Sequence, residues 1–236
     1  MYKKITHSIV EEHFAHPIAA ELKKKVDKIV ATTTTPKPKA SAVLTPEIQL
    51  HMDAHELMGK LNWGIRNYII SALANGEDAT YIQTRLLADI KDLGVVLSKY
   101  YSAKIGDDAV MHFTEFAKVL VELIAAAKAG KDISKLAESA LGHLDSFASV
   151  ISIANPTHWP EAVVKEFLHT YFTHVAHEIE ARIKKDWAAD MIASSKANNV
   201  IMSGPITDGT LKGMPDFANV FAEGIIKQFP AVFPNK

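Results

Sequence analysis

Hydrophobic and polar positions follow a helical period through most of the chain, and one stretch departs from the usual two-faced pattern. Pro46–Asn75 reads as a single helix of about 30 residues, hence about 45 Å long. On a helical wheel His51, His55, Asn62 and Arg66 share one sector about 60° wide, with Gly59 beside them. Lys60, Asn67, Asp53, Ser71 and Glu56 make an ordinary solvent face roughly opposite. The His–Asn–Arg row is bordered by Met58, Ile65 and Ile69 on one side and by Met52, Trp63 and Ile70 on the other. Apolar borders on both sides point the row inward. Burying such groups without partners costs about 1–3 kcal/mol each, so the row predicts polar partners on neighbouring helices.

The remaining elements follow from the same periodicity and from local stop signals. Thr45-Pro46-Glu47 supplies a capping hydroxyl, a first-position proline and a first-turn acid, and Gly76 ends the helix. A second helix opens at Asp78 or Thr80 and runs to about Ser102 on an Ile82, Leu86, Ile90, Leu93, Leu97 stripe, with Arg85 and Asp89 four apart at its edge. Gly106-Asp107 introduces a third, ending near Ala129, with His112 inside its apolar sector and Glu115 at the margin. Asp132 caps a fourth, which stops at Asn155-Pro156 because the residue before proline avoids helical geometry. Pro160 starts a fifth that reaches about Ala197 and about 55 Å. Here Glu178, Arg182, Asp186 and Asp190 recur every fourth position, and Arg182 and Asp186 share the sector of Val164, Leu168 and Val175. Pro215–Phe229 is a last amphipathic helix. With no alternating strand pattern, the expected fold class is all-α, an up-down helical bundle of long helices with short connections.

Ahead of the bundle the pattern changes. Residues 1–31 carry Ile18, Leu22, Val26 and Ile29 at helical spacing, with Lys23, Lys24 and Lys25 turned away from that stripe. Residues 32–45, TTTTPKPKASAVLT, have little to bury and resist helix, so they read as an extended linker with a reach of about 45 Å. The expected organisation is a helical arm at 1–31, a linker at 32–45 and the bundle at 46–236.

Composition narrows the chemistry. The 236 residues are 48% hydrophobic and 22% charged, enough for a real core. A net charge of −1 gives no global attraction for nucleic acid or an anionic membrane. The absence of cysteine excludes disulfides, thiolate catalysis and cysteine-held metal clusters. The charged start lacks a signal-peptide core, and Val119–Ala127 is too short to span a bilayer, so the expectation is a cytoplasmic protein without a membrane span. No phosphate-binding glycine loop, Gly-x-Ser-x-Gly elbow or His-Glu-x-x-His occurs, and no cofactor is expected. Metal is the alternative. His51 and His55 lie one turn apart, and His112 and Glu115 also face inward, which would make a His51, His55, His112, Glu115 set. Glu166-x-x-His169 has the spacing of di-iron bundles, without the second copy such a site needs. Trp63, Trp159 and Trp187 read as packing anchors.

Collected, the expected buried polar network is His51, His55, Asn62, Arg66, Arg85, Asp89, His112, Glu115, Glu178, Arg182 and Asp186. Much of Leu57–Pro230 also resembles a group of small all-helical bacterial proteins, of the kind met in Bacillus and Clostridium, often mislabelled acetylglutamate kinase or glycosyltransferase. The pieces are Trp63-x-x-Arg66, Thr84-Arg85-Leu86-Leu87, Ala125–Gly130, Asn155-Pro156 with Trp159, Glu178 with Arg182, and Glu223–Pro230. The resemblance implies a helical bundle with a buried polar centre and no established activity. Phe116 and Tyr171 stand where the resemblance leads one to expect histidines. The functional expectation is a non-catalytic protein acting through association, as a homo-oligomer or within a larger assembly, with the Ile18, Leu22, Val26, Ile29 stripe of the arm as the contact. The alternative is a metal or redox bundle protein.

Overall fold

The computed structural model describes residues 24–25, 44–202, 206 and 211–234. Seven helices are described and, among the described residues, no strand: α1 Pro46–Ala74, α2 Ala79–Tyr100, α3 Ala103–Lys128, α4 Ser134–Ala154, α5 Glu161–Ile183, α6 Trp187–Met202 and α7 Phe217–Gln228. The protein is an all-α bundle. Each helix from α1 to α6 packs on the next, and α7 returns against α1 and α6. α1 also touches α3 and α5, so it lies at the centre of the arrangement. The predicted arm stripe and most of the linker fall outside the described residues; Lys24 and Lys25 are helical and exposed.

The ends of α1 form as its sequence dictates. Thr45 Oγ1 accepts the Ile48 N–H at 3.4 Å, and Asn75 closes the helix in the left-handed conformation at φ 57°. Lys128 on α3 donates from Nζ to the Ala72 carbonyl at 2.5 Å and to Asn75 Oδ1 at 2.7 Å, so a cation sits on the negative end of the helix.

Two boundaries differ from the sequence expectation. α3 begins at Ala103, capped by Ser102, and Gly106 lies inside it rather than in the turn. The reason is a close crossing: a Cβ at Gly106 would stand 2.5 Å from the Gly94 carbonyl oxygen of α2. The larger correction concerns the fifth helix. It is two helices, because Lys185 turns left-handed (φ 57°), the Asp186 N–H closes on the Ala181 carbonyl at 2.9 Å, and Asp186 Oδ1 then caps α6 at Ala189 N, 3.0 Å away. α6 folds back on α5.

The core runs through Phe113, Phe116, Phe147, Phe167, Phe217 and Phe221, with Trp159 fully buried. Trp159 stacks on Phe221 with centroids 5.1 Å apart, and its Nε1 donates to the Val220 carbonyl at 3.1 Å. Gly224 makes this possible, since a Cβ there would stand 2.1 Å from Trp159 Nε1. Buried Asn155 fixes the α4–α5 corner, donating from Nδ2 to Tyr101 Oη (3.0 Å) and to the Gly224 carbonyl (2.8 Å). Tyr101 is pushed up to about 12 by burial, against the pull of Asn155. Of the three tryptophans only Trp159 is a packing anchor; Trp63 and Trp187 are exposed.

Candidate functional site

The polar row of α1 divides into two seams, one against α5 and α6 and one against α7. In the first, Arg66 reaches between the two antiparallel helices. Its Nη1 lies 2.6 Å from Glu178 Oε1 on α5, and its fork grips Asp190 on α6, Nη2 to Oδ2 at 2.9 Å. Arg182 Nη1 donates to the same Asp190 Oδ2 at 2.7 Å. The Arg66–Glu178 contact is a charge contact, since Glu178 Oε1 lacks hydrogen-bond geometry to any described group. Both carboxylates are 2% exposed, so two arginines and two acids balance inside the protein. Arg182 continues outward over the Trp187 ring at 5.4 Å.

Burial and charge pull these acids in different directions. Burial pushes Glu178 up to about 6 in spite of Arg66. Burial also raises Asp190, but Arg66 and Arg182 together overcome it and hold that carboxyl below its ordinary value. Arg66 is held charged: burial opposes its charge, and the contacts with Asp190 and Glu178 outweigh that. One turn along, Asn62 donates to Asn198 Oδ1 of α6 at 3.2 Å and accepts from Tyr171 Oη of α5 at 3.1 Å. Burial raises Tyr171, with Glu178 adding to the effect, so its hydroxyl keeps its proton.

In the second seam His51 sits between Asn219 Oδ1 (3.1 Å from Nδ1) and Glu223 Oε1 (3.2 Å from Nε2) on α7. His55 Nε2 lies 3.8 Å from Asp216 Oδ1, and Asp216 caps α7 through Asn219 N at 3.0 Å. Burial raises Glu223, but Lys227 and His51 bring it below its usual value.

Of the predicted network, His51, His55, Asn62, Arg66, Glu178 and Arg182 thus meet partners across helices. The others do not join them. Asp186 is exposed and serves as the cap of α6, because the chain turns there; Asp190, one turn on, takes the place expected for it. Arg85 is exposed and bends along its own helix onto buried Asp89, Nη2 to Oδ1 at 2.7 Å. His112 is half-buried on α3 with its ring 6.5 Å from that of His143, and Glu115 pairs with Lys118 at the surface at 2.6 Å. The four-residue metal set therefore splits between the α7 seam and the α3–α4 face. Among the described residues no group of three or more His, Asp or Glu side chains is placed to hold a metal. His169 instead meets Asp145 at 2.7 Å on a half-exposed surface. Sequence reading missed the α7 partners Asp216, Asn219 and Glu223. Their only signal was a cap and an i,i+4 acid–lysine pair, both common on surface helices.

The outer border of the polar row behaves differently from the inner one. Ile48 (48%), Met52 (52%) and Trp63 (71%) are exposed, together with Tyr81 (78%) on α2. Of the border residues expected on this side, Met52 and Trp63 are open to solvent and Ile70 is half-buried; with Ile48 the exposed ones mark a stripe about 22 Å long from 48 to 63 along α1. It opens into a groove of about 770 Å³ between α1, α2 and α6, lined by apolar Trp63, Tyr81, Ile82 and Met202 and by polar Lys60, Asn67, Arg85, Asp89 and Asn198.

No family model, curated protein or solved structure matches this chain. Among the described residues no helix is long and apolar enough to cross a membrane.

Proposed function

We propose that the protein is a non-catalytic, intracellular helical-bundle protein that works by association with further copies of itself, in a structural or assembly role. The observation that carries this reading is the α1 stripe, where Ile48, Met52 and Trp63 face solvent next to Tyr81. Single exposed apolar residues need no explanation, but large ones lined up along one helix face mark a surface for another protein. The Arg66–Glu178–Arg182–Asp190 lattice fits the same reading. Its charges are spent on one another across three helices, which fixes the register of the α5–α6 hairpin against α1. The chain divides into two compact units, Met1–Val43 and Leu44–Lys236, and both lattice and core belong to the second. In this reading the arm is the associating element.

Deleting residues 1–45 tests this. The truncated protein is expected to keep its helical circular dichroism and to show a smaller mass by light scattering than the full chain. A truncated form with the parent's subunit number, or one unable to fold, would remove the reading's support.

A further inference from the structure

The association reading leaves open which face of the bundle meets a second copy. Resting on that reading, we infer that two copies pair through α1 about a two-fold axis. The two helices run antiparallel, and the first half of each sits in the α1–α2–α6 groove of the other. The order of residues along α1 carries this. Met52, Glu56 and Trp63 fall within about 40° of one another on the helix, with Lys60 next to Glu56. Met52 and Trp63 are centred between Leu57 and Met58, and Glu56 and Lys60 are centred on Met58. Turning a second copy about that point brings its Trp63 onto Met52 and its Lys60 beside Glu56. The two-fold axis makes each contact twice, which is what a self-complementary interface requires.

Charge selects the antiparallel sense. Residues 46–56 carry Glu47, Asp53 and Glu56 and no lysine or arginine. The groove over the second half of α1 is lined by Lys60 and Arg85. Asp89, also in that lining, is 4% exposed and already held by Arg85 through Nε and Nη2. An acidic half-helix thus meets two cations, whereas a parallel pair would lay acid on acid.

The exposed apolar residues divide in the same way. Ile48 and Met52 stand on the first half of α1, while Trp63 and Tyr81 stand at the groove. The antiparallel register places the second copy's Ile48 over Asn67, beside Tyr81. Four large side chains from each copy then leave water together. Trp, Tyr and Arg are the residue types in which interface binding energy concentrates, and all three are present here.

Cysteine cross-linking of the full chain, which has no cysteine of its own, tests the register. Met52 and Trp63 lie about 16 Å apart along α1, too far for a bridge within one chain. Met52→Cys/Trp63→Cys together are expected to give a covalent two-chain species on oxidation, and either substitution alone to give none. Charge exchange tests the pairing by light scattering. Glu56→Lys and Lys60→Glu, which put like charges face to face, are each expected to fall to half the parent's mass or less with unchanged circular dichroism. An equimolar mixture of the two restores opposite signs at every contact and is expected to recover the parent's mass. Ile153→Asp on exposed α4 is expected to keep it throughout. A single-cysteine variant that cross-links to itself overturns the antiparallel sense. A double variant that stays single-chain on oxidation, or a mixture that stays at the variants' mass, overturns the pairing while association by another surface stands. A parent of single-chain mass overturns both this pairing and the association reading.

Discussion

The two polar seams of α1 use similar residues at different depths, and depth decides what each contributes. Against α5 and α6, Arg66 meets Glu178 and Asp190, both 2% exposed, and Arg182 completes a closed set of four charges. Against α7, His51 meets Glu223 with the pair roughly a third exposed, and water competes for every contact. A buried ion pair adds little net stability, since desolvation offsets attraction, but removing one partner strands the other. A half-exposed pair strands nothing. The first seam therefore acts as a lock on helix register, while the second is a soft contact at the edge of α7.

The largest expected effect comes from opening the lock. Arg66→Ala should destabilise by about 3–5 kcal/mol in urea titration, because Glu178 is left buried without its cation, whether it stays charged or takes up a proton, and Asp190 loses its bidentate partner. A loss near that of a surface mutation would mean that the lattice is wetter than its 2% exposure implies.

Glu178→Gln probes the same site through pH. In the parent, burial raises Glu178 from 4.5 to about 6, so between those values the folded state holds more of that proton than the unfolded state. This contribution is full below the unfolded value and fades as pH rises through the folded one. Asp190, held low, does the opposite: its contribution is present at neutral pH and is lost as pH falls. Removing Glu178 leaves only the second behaviour. From well below pH 4.5 to well above pH 6 the variant should gain on the parent by about 2 kcal/mol, about three quarters of it between pH 4.5 and 6.5. Parallel stability curves would show that Glu178 titrates normally.

Asp186→Ala sharpens the comparison by testing the turn that delivers Asp190. Loss of the cap to Ala189 should cost about 1 kcal/mol, far less than Arg66→Ala, and equal costs would return Asp186 to the interior. The smallest effects belong to the α7 seam and the outer face. His51→Ala should cost under about 1 kcal/mol and Lys60→Ala under about 0.5, both by urea titration.

Most of the helices were legible because helix ends are local. Thr45-Pro46 caps α1, and Asn155-Pro156 stops α4, through bonds or steric limits spanning a few residues. The α5–α6 break was not, since Lys184-Lys185-Asp186 contains neither glycine nor proline. Its left-handed Lys185 is held by what the hairpin gains when Asp190 reaches Arg66 and Arg182. The hint lay in Arg182 and Asp186 falling on an apolar sector that a single straight helix could not satisfy.

The sequence by itself determined that the chain is all-α, where most helices start and stop, and that one side of α1 carries His51, His55, Asn62 and Arg66 in a row. Periodicity assigns a residue to a face of its helix. It does not say which neighbour, or whether any, lies against that face. Only the tertiary structure decided that Met52 and Trp63 border the row from outside, that Arg85 bends along its own helix to Asp89, and that Arg66 is answered from two helices. The last of these depends on contacts between residues more than a hundred positions apart, as Arg66 and Asp190 are, and no local pattern encodes such a pairing.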